Sequence, residues 1–168
     1  MTARSITVLK PGLETTVQEL PGRIGYLEQG FPVSGPFDKW SFRQANLLVG
    51  NPRDTAALEC QLLGPTLRFE GDAAVAVTGA DMRPKLDGQP VPMWQTLHVR
   101  AGQVLEIGAA YSGARGYVAV AGGIDTPVVL LVSTWLACSH HHPAAPSAAN
   151  QIVISGEGLP THAECTMV

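Results

Sequence analysis

Turn-forming residues cut this chain into short pieces, and that constrains its fold more than any other feature. There are 18 glycines and 13 prolines in 168 residues, and most fall between apolar or alternating runs of four to seven residues. Residues 5–9 end at Pro11-Gly12, and residues 15–20 end at Pro21-Gly22. Similar runs follow at 57–63, 66–69, 73–78, 83–86, 96–99, 104–107 and 117–120. A chain interrupted this often cannot build a helical bundle. It reads as many short strands joined by tight turns, as in barrels and sandwiches. Asp87-Gly88 is a strong hairpin signal, because both central positions of a primed turn need positive φ.

One stretch breaks the rhythm. Residues 37–49 place Trp40, Gln44 and Leu48 on one face, with Phe37, Ala45 and Leu47 widening an apolar stripe at helical period. Ser34 or Asp38 can cap its start, and Gly50 can take the left-handed conformation at its end. The expected architecture is mainly β, plausible as a barrel with the helix covering one opening. No internal repeat is visible. From Cys138 onward the sequence CSHHHPAAPSAANQ reads as a loop or linker. Residues 152–154 could add one strand, and the last dozen residues have no clear pattern. The expected organisation is thus a barrel domain over 1–137 and a divergent loop and tail over 138–168.

Composition excludes several function classes. At 45% hydrophobic and 15% charged the chain is no disordered segment. Its net charge is −3 and its 11 basic residues are scattered, so it lacks the basic stripe of a nucleic-acid binder. The longest apolar run, residues 128–132, is far too short to cross a bilayer. The first ten residues lack the apolar core of a signal peptide. Cys60, Cys138 and Cys165 lie far apart with no CxxC, which indicates neither a disulfide framework nor a zinc site. A reduced, cytoplasmic setting is expected.

Several familiar chemistries are missing: there is no GxSxG, HExxH, P-loop or dinucleotide GxGxxG. Residues 120–125, VAGGID, are glycine-rich after a strand, but no helical pattern follows, so they read as a tight turn. His140, His141 and His142 read as a solvated loop without a completed metal site. The helix start is more informative. Asp38 complements the macrodipole there, and the same geometry would set backbone amides around a carboxylate or carbamoyl group. Arg23 could pair with a substrate carboxylate or with Asp38. Asn46 and Gln44 offer amides suited to a urea-like or lactam ligand. Capping and ligand binding both remain open for these residues. Glu59, within a strand pattern, faces either solvent or a barrel cavity. Thr78 to Asp81 end a strand at a turn, and Arg115 is either an exposed edge residue or a ligand contact.

The order of sequence blocks adds a resemblance. PGLETTVQELPGRIGY, GFPVSGPFDKWSFRQANLLVGNPRDTAALE, GPTLRF, VAVTGADMRPKLDGQPVPMW, VRAGQVLEIG and RGYVAVAGGIDTPVVL follow one another across residues 11–130. They resemble, over about residues 5–137, the N-terminal half of the biotin-dependent carboxyltransferase-like family. That family includes allophanate hydrolase subunit 2, the C subunit of 5-oxoprolinase and part of the carboxyltransferase domain of urea carboxylase. The resemblance implies a cyclophilin-like β-barrel. It also implies a B-type barrel protein as partner and, in the 5-oxoprolinase system, an A-type protein as well. The implied reaction is ATP-dependent opening of 5-oxoproline to glutamate, or carboxyl transfer from carboxybiotin to urea in the urea carboxylase relatives. ATP and biotin would be handled elsewhere in the complete system.

The family's ligand site resembles a cleft between barrels. By position in matching blocks, Asp38 and Glu59 become the catalytic candidates, and Gln18, Arg23, Ser34 and Asn46 the substrate-binding ones. No metal site is implied. Two blocks differ mildly from the family pattern. Gly22-Arg23-Ile24-Gly25-Tyr26 stands where Gly-Arg-Pro-Gly-Tyr is usual, and Ser34-Gly35-Pro36-Phe37-Asp38 where Ser-Gly-Ala-Met-Asp is common. After GGID the family continues through Gly-Ser-Arg-Ser-Thr into a second barrel region, whereas this chain reads VVLLVSTWLACSHHHPAAPSAANQ. A site built between two halves then needs the other half from another chain. The alternative is a non-catalytic barrel that binds a small amide, lactam or carboxylate, or a homo-oligomer.

Overall fold

The computed structural model describes residues 4–22, 24, 27–125 and 151–154. Among them are twelve strands, one α-helix and a short 3-10 turn at Leu27–Gln29. In chain order the strands are β1 (Arg4–Lys10), β2 (Glu14–Gln18), β3 (Ala57–Gln61), β4 (Thr66–Phe69), β5 (Ala73–Asp81) and β6 (Lys85–Leu86). They continue with β7 (Gln89–Pro90), β8 (Thr96–Val99), β9 (Val104–Glu106), β10 (Ser112–Val120), β11 (Ile124–Asp125) and β12 (Gln151–Ile154). The helix α1 spans Lys39–Leu48.

The strands form two antiparallel sheets, one of seven strands in the order β11-β12-β1-β4-β9-β6-β7 and one of five in the order β2-β3-β10-β5-β8. Alternation explains how they share one core. Ile6, Leu67, Phe69 and Leu105 of the larger sheet meet Leu58, Val75, Val77, Val118 and Val120 of the smaller, all buried. The mainly β fold with one principal helix is as expected. The cylinder is an open one, because no ladder among the described residues joins the two sheets edge to edge.

Turn chemistry lands where the sequence points. Asp87 and Gly88, at φ 49° and 79°, connect β6 to β7. VAGGID is a tight turn, with Gly122 and Gly123 at positive φ between β10 and β11. The strand expected at 83–86 shrinks to two residues, and β5 continues past 78 to Asp81. The last residues of β5 therefore lie inside a strand and not at a turn. β7 ends on Pro90, which is tolerated because β7 is an edge strand. β12, from beyond residue 137, sits inside the larger sheet between β11 and β1.

Two expectations about the helix are corrected. It does not cover a barrel opening; it packs on the outer face of the smaller sheet, against Ala57, Ala74, Ala76, Tyr117 and Ala119. Nor does it bury Trp40 or Leu47, which are exposed, while Gln44 and Leu48 are only half-buried. The buried face is Ser41, Phe42, Ala45 and Asn46, followed by Val49. The cause is the sheet beneath: an alanine-lined surface lets the helix approach closely on small residues. Phe42 is the large side chain inserted there, meeting the Tyr117 ring edge-on with centroids 6.0 Å apart.

Candidate functional site

A row of four polar side chains crosses the outer face of the smaller sheet directly under the start of α1. Register puts Thr16 of β2 opposite Glu59 of β3, Glu59 opposite Tyr117 of β10, and Tyr117 opposite Thr78 of β5. Residues directly opposite share a face, so all four point toward the helix and away from the inter-sheet core. Glu59 is 5% exposed. Its Oε2 accepts from the Phe37 amide at 2.7 Å and from the Tyr117 hydroxyl at 2.8 Å, and its Oε1 accepts from Arg115 Nη1 at 3.3 Å. The Tyr117 oxygen in turn accepts from the Asp38 amide at 2.7 Å. Thr78 donates to the Ser41 carbonyl at 2.8 Å. Burial, together with the bond and charge of Glu59, pushes the Tyr117 phenol well above its ordinary value, although the Asp38 amide opposes this. It therefore stays a neutral donor.

Asp38 itself is the N-cap. Its Oδ1 accepts from the amides of Trp40 (3.0 Å) and Ser41 (3.1 Å), and its Oδ2 accepts from the Ser41 hydroxyl at 2.5 Å. Partial burial acts to raise its pKa, but the Ser41 hydroxyl and the two amides together outweigh that and hold the carboxyl below its ordinary value. A group with a lowered folded pKa contributes stability that is full above the ordinary carboxylate range and fades as pH falls through the lowered value. Asp38→Ala is therefore expected to cost about 1 kcal/mol at neutral pH. The gap from wild type should narrow towards about pH 3 in urea unfolding, whereas Asp38→Asn, still a good cap, should track neither loss. A gap of constant size in acid would count against a charged cap.

The other candidates are placed as follows. Gln18 lies on β2, on the same face as Thr16, and donates to the Thr16 hydroxyl at 2.9 Å. Ser34 is half-buried in the loop before α1, its carbonyl packed on Gly22, where an added Cβ would lie 1.7 Å from the Ser34 oxygen. Asn46 is fully buried, donating to the Thr55 carbonyl at 2.8 Å and accepting from the Asn51 amide at 3.1 Å. It stands about 12 Å along the helix from Asp38 at roughly 1.5 Å per residue. The structure thus brings Asp38, Glu59 and the Gln18–Thr16 pair to one region and keeps Asn46 apart. Arg23 and His140 to His142 lie outside the described residues. Arg115 is no edge residue: β10 is the middle strand of its sheet, and the guanidinium lies 5.5 Å from the Phe37 ring centre besides pairing with Glu59.

Beside the helix start opens a cleft of about 560 Å3. Asp81, Arg83 and Lys85 line it together with Val91, Met93 and Trp94. The Trp94 ring lies 5.4 Å from Trp40 at 39°, so the first turn of α1 borders the cleft. Both Arg83 (φ 46°) and Trp94 (φ 60°) are in the left-handed region. Sequence reasoning missed this cleft, and missed Tyr117 as the partner of Glu59. Tyr117 leaves a trace, a tyrosine alternating against Val118 and Val120. The backbone of Arg83 and Trp94 leaves none.

Two antiparallel sheets around one core, with one helix among the described residues pinned to an outer face beside an open cleft, define a mainly β domain. Residues 29–137 match the family model described as carboxyltransferase domain, subdomain A and B, and the chain belongs to that family. It is 43% identical over 126 residues to urea amidolyase of Saccharomyces cerevisiae, covering 75% of this chain and 7% of that protein. It is 41% identical over 125 residues to the C subunit of 5-oxoprolinase from Escherichia coli, covering 74% of this chain and 40% of that protein. The solved urea carboxylase of Kluyveromyces lactis superposes with a TM-score of 0.73 at 39% identity, over 77% of this chain and 12% of that one. The chain therefore spans less than half the length of these relatives. The resemblance carried by the ordered sequence blocks is thereby established.

Proposed function

We propose that this chain serves as one component of an ATP-dependent 5-oxoprolinase, or of a related urea-carboxylase or allophanate-hydrolase-type system, and supplies one wall of a ligand site shared with a second barrel. The carrying observation is that about three-quarters of the chain is similar to the C subunit of 5-oxoprolinase, and about three-quarters to urea amidolyase. The geometry supports a role in orienting a ligand and its partner surface, with ATP and biotin handled elsewhere. Contrary to expectation, the amides of Phe37, Asp38, Trp40 and Ser41 are not free for a ligand carboxylate or carbamoyl group, because Glu59, Tyr117 and Asp38 already accept from them. In this reading Asp38 and Glu59 hold the helix start at the site's edge, Gln18 and Ser34 flank it, and chemistry depends on positioning and charge stabilisation.

Leu27, Val33, Phe37 and Trp40, in the first turn of α1 and the segment before it, are exposed, and in the matched relatives this domain is a minor part of a larger protein. A second carboxyltransferase-type barrel is the occupant that fits this apolar rim. Co-expressed with a B-type barrel protein, the chain should co-elute with it at micromolar concentration. Val33→Asp with Phe37→Glu should weaken the complex about tenfold or more. Adding an A-type protein, ATP and 5-oxoproline should then release glutamate; urea serves as the second substrate tested. Separate elution at these concentrations, with no turnover of either substrate, would sink the reading.

A second reading is a stand-alone binding barrel. It is favoured by one observation: every residue lining the cleft falls between Gly79 and Trp94, so no other chain is needed to form it. Thermal shifts with 5-oxoproline, urea, allophanate or glutamate, without turnover when partners are added, would favour it over the first.

A further inference from the structure

We propose that the cleft between the β5–β6 segment and Trp94 is a binding site for a small planar carboxylate, gripped by Arg83 and Lys85 and stacked against Trp94. Three independent observations carry this. The first is charge: two cations and one acid line the cleft, and the acid is poorly matched to its neighbour, with Asp81 Oδ2 3.7 Å from Arg83 Nε. That separation is an ion pair too long for a hydrogen bond, and the Arg83 side chain is 60% exposed, so its guanidinium can also take a bidentate carboxylate.

The second is preorganisation. The Arg83 guanidinium lies 3.4 Å from the centre of the Tyr111 ring, which fixes its plane before any ligand arrives. Trp94 is likewise held, by its amide donating to the Val77 carbonyl at 2.8 Å and by its ring against Trp40. Holding both groups in advance lowers the ordering cost of binding.

The third is backbone strain. Among the described residues four other than glycine have positive φ: Leu62, Arg83, Asp87 and Trp94. Asp87 is explained by the hairpin turn it forms with Gly88. Arg83 and Trp94 both line the same cleft, and a bulky residue in that region persists only where the surroundings over-determine it. Two such residues line one cavity of about 560 Å3, within the size range of small-molecule sites. The apolar surfaces of Val91, Met93 and Trp94 suit a flat body, and the cations suit its acid group. This inference rests on the second, stand-alone reading above and holds or fails independently of any complex with a second barrel.

The test is isothermal calorimetry on the full chain with benzoate and with its neutral isostere benzamide. Benzoate should bind about tenfold or more tighter than benzamide, as expected when a charge-assisted pair is lost. Arg83→Gln should abolish that discrimination, Lys85→Gln should reduce it, and Arg43→Gln, exposed on α1, should leave it unchanged. Arg83→Gly adds a check on folding: glycine accepts the positive φ without strain, so loss of benzoate binding in a variant that still melts cooperatively reports the missing guanidinium. Equal binding of acid and amide, no binding heat for benzoate, or full benzoate affinity in Arg83→Gly or Arg83→Gln would overturn the assignment.

Discussion

Gly79→Ala is expected to be strongly destabilising although it adds a single methyl group. Gly79 has φ +89°, and a Cβ built there would lie 2.3 Å from the Arg115 carbonyl oxygen and 3.1 Å from the Tyr117 ring. The closer contact is with backbone, so no rotamer change relieves it. β5 and β10 run side by side here, Gly79 opposite Gly116, just where their register shifts between Ser112 and Gly116. Combining about 1–3 kcal/mol for a strained φ with about 1–3 for overpacking gives roughly 4 kcal/mol. That is a large share of a typical domain's stability of about 5–15 kcal/mol. Gly88→Ala is the control. Its φ is +79° but nothing lies within 4 Å of the added methyl, so only the conformational cost of about 1 kcal/mol should appear. Urea unfolding of the two variants checks this; equal losses would mean that the close approach of β5 to β10 does not exist in solution.

Glu59→Ala is the second large effect. The substitution removes one acceptor group and strands three donors: the Phe37 amide, the Tyr117 hydroxyl and Arg115. Breaking a buried pair by deleting one partner costs about 3–5 kcal/mol, because the remaining groups stay desolvated. Glu59→Gln keeps a carbonyl acceptor in place and should lose only about 1.5–3 kcal/mol, the value of hydrogen bonds to a charged group. The two variants should also differ in hydrogen exchange at the Phe37 and Asp38 amides, faster in both and fastest in Glu59→Ala. Unfolding within about 1 kcal/mol of wild type for Glu59→Ala would show that this network does not anchor the helix.

What the sequence reveals and what it conceals divide along physical lines. Strands bounded by glycine and proline are local facts, and so are the Asp87-Gly88 turn and the Asp38 cap; each is legible within a handful of neighbouring residues. The face of α1 is not, because it is decided by the sheet beneath. Ala57, Ala74, Ala76 and Ala119 come from three strands, and they make small Ser41, Ala45 and Asn46 the inward residues while Trp40 turns outward. Glu59 illustrates the same limit. Its alternation with apolar neighbours leaves two faces open, and only the pairing of β2, β3, β10 and β5 shows that it meets Tyr117 under the helix. Asn46 reads as a ligand amide from its type alone, yet Thr55 and Asn51 take its hydrogen-bonding capacity. The cleft is hardest of all to foresee, since neither Arg83 nor Trp94 belongs to a residue type that advertises a left-handed backbone.

The placement of β12 bears on how the molecule assembles as it is made. Ser5 pairs with Val153 and Ile6 with Ile152, contacts that span nearly the whole described length. Such distant pairing raises contact order and slows folding. On the ribosome, β1 must wait for about 150 residues of synthesis, roughly 8–30 s at about 5–20 residues per second, before its neighbour emerges. During that interval the smaller sheet, whose strands lie between Glu14 and Val120, already has its partners. Until β12 emerges, the nascent chain therefore presents the edges of both β1 and β11 unpaired, which makes them the places most open to wrong strand pairing.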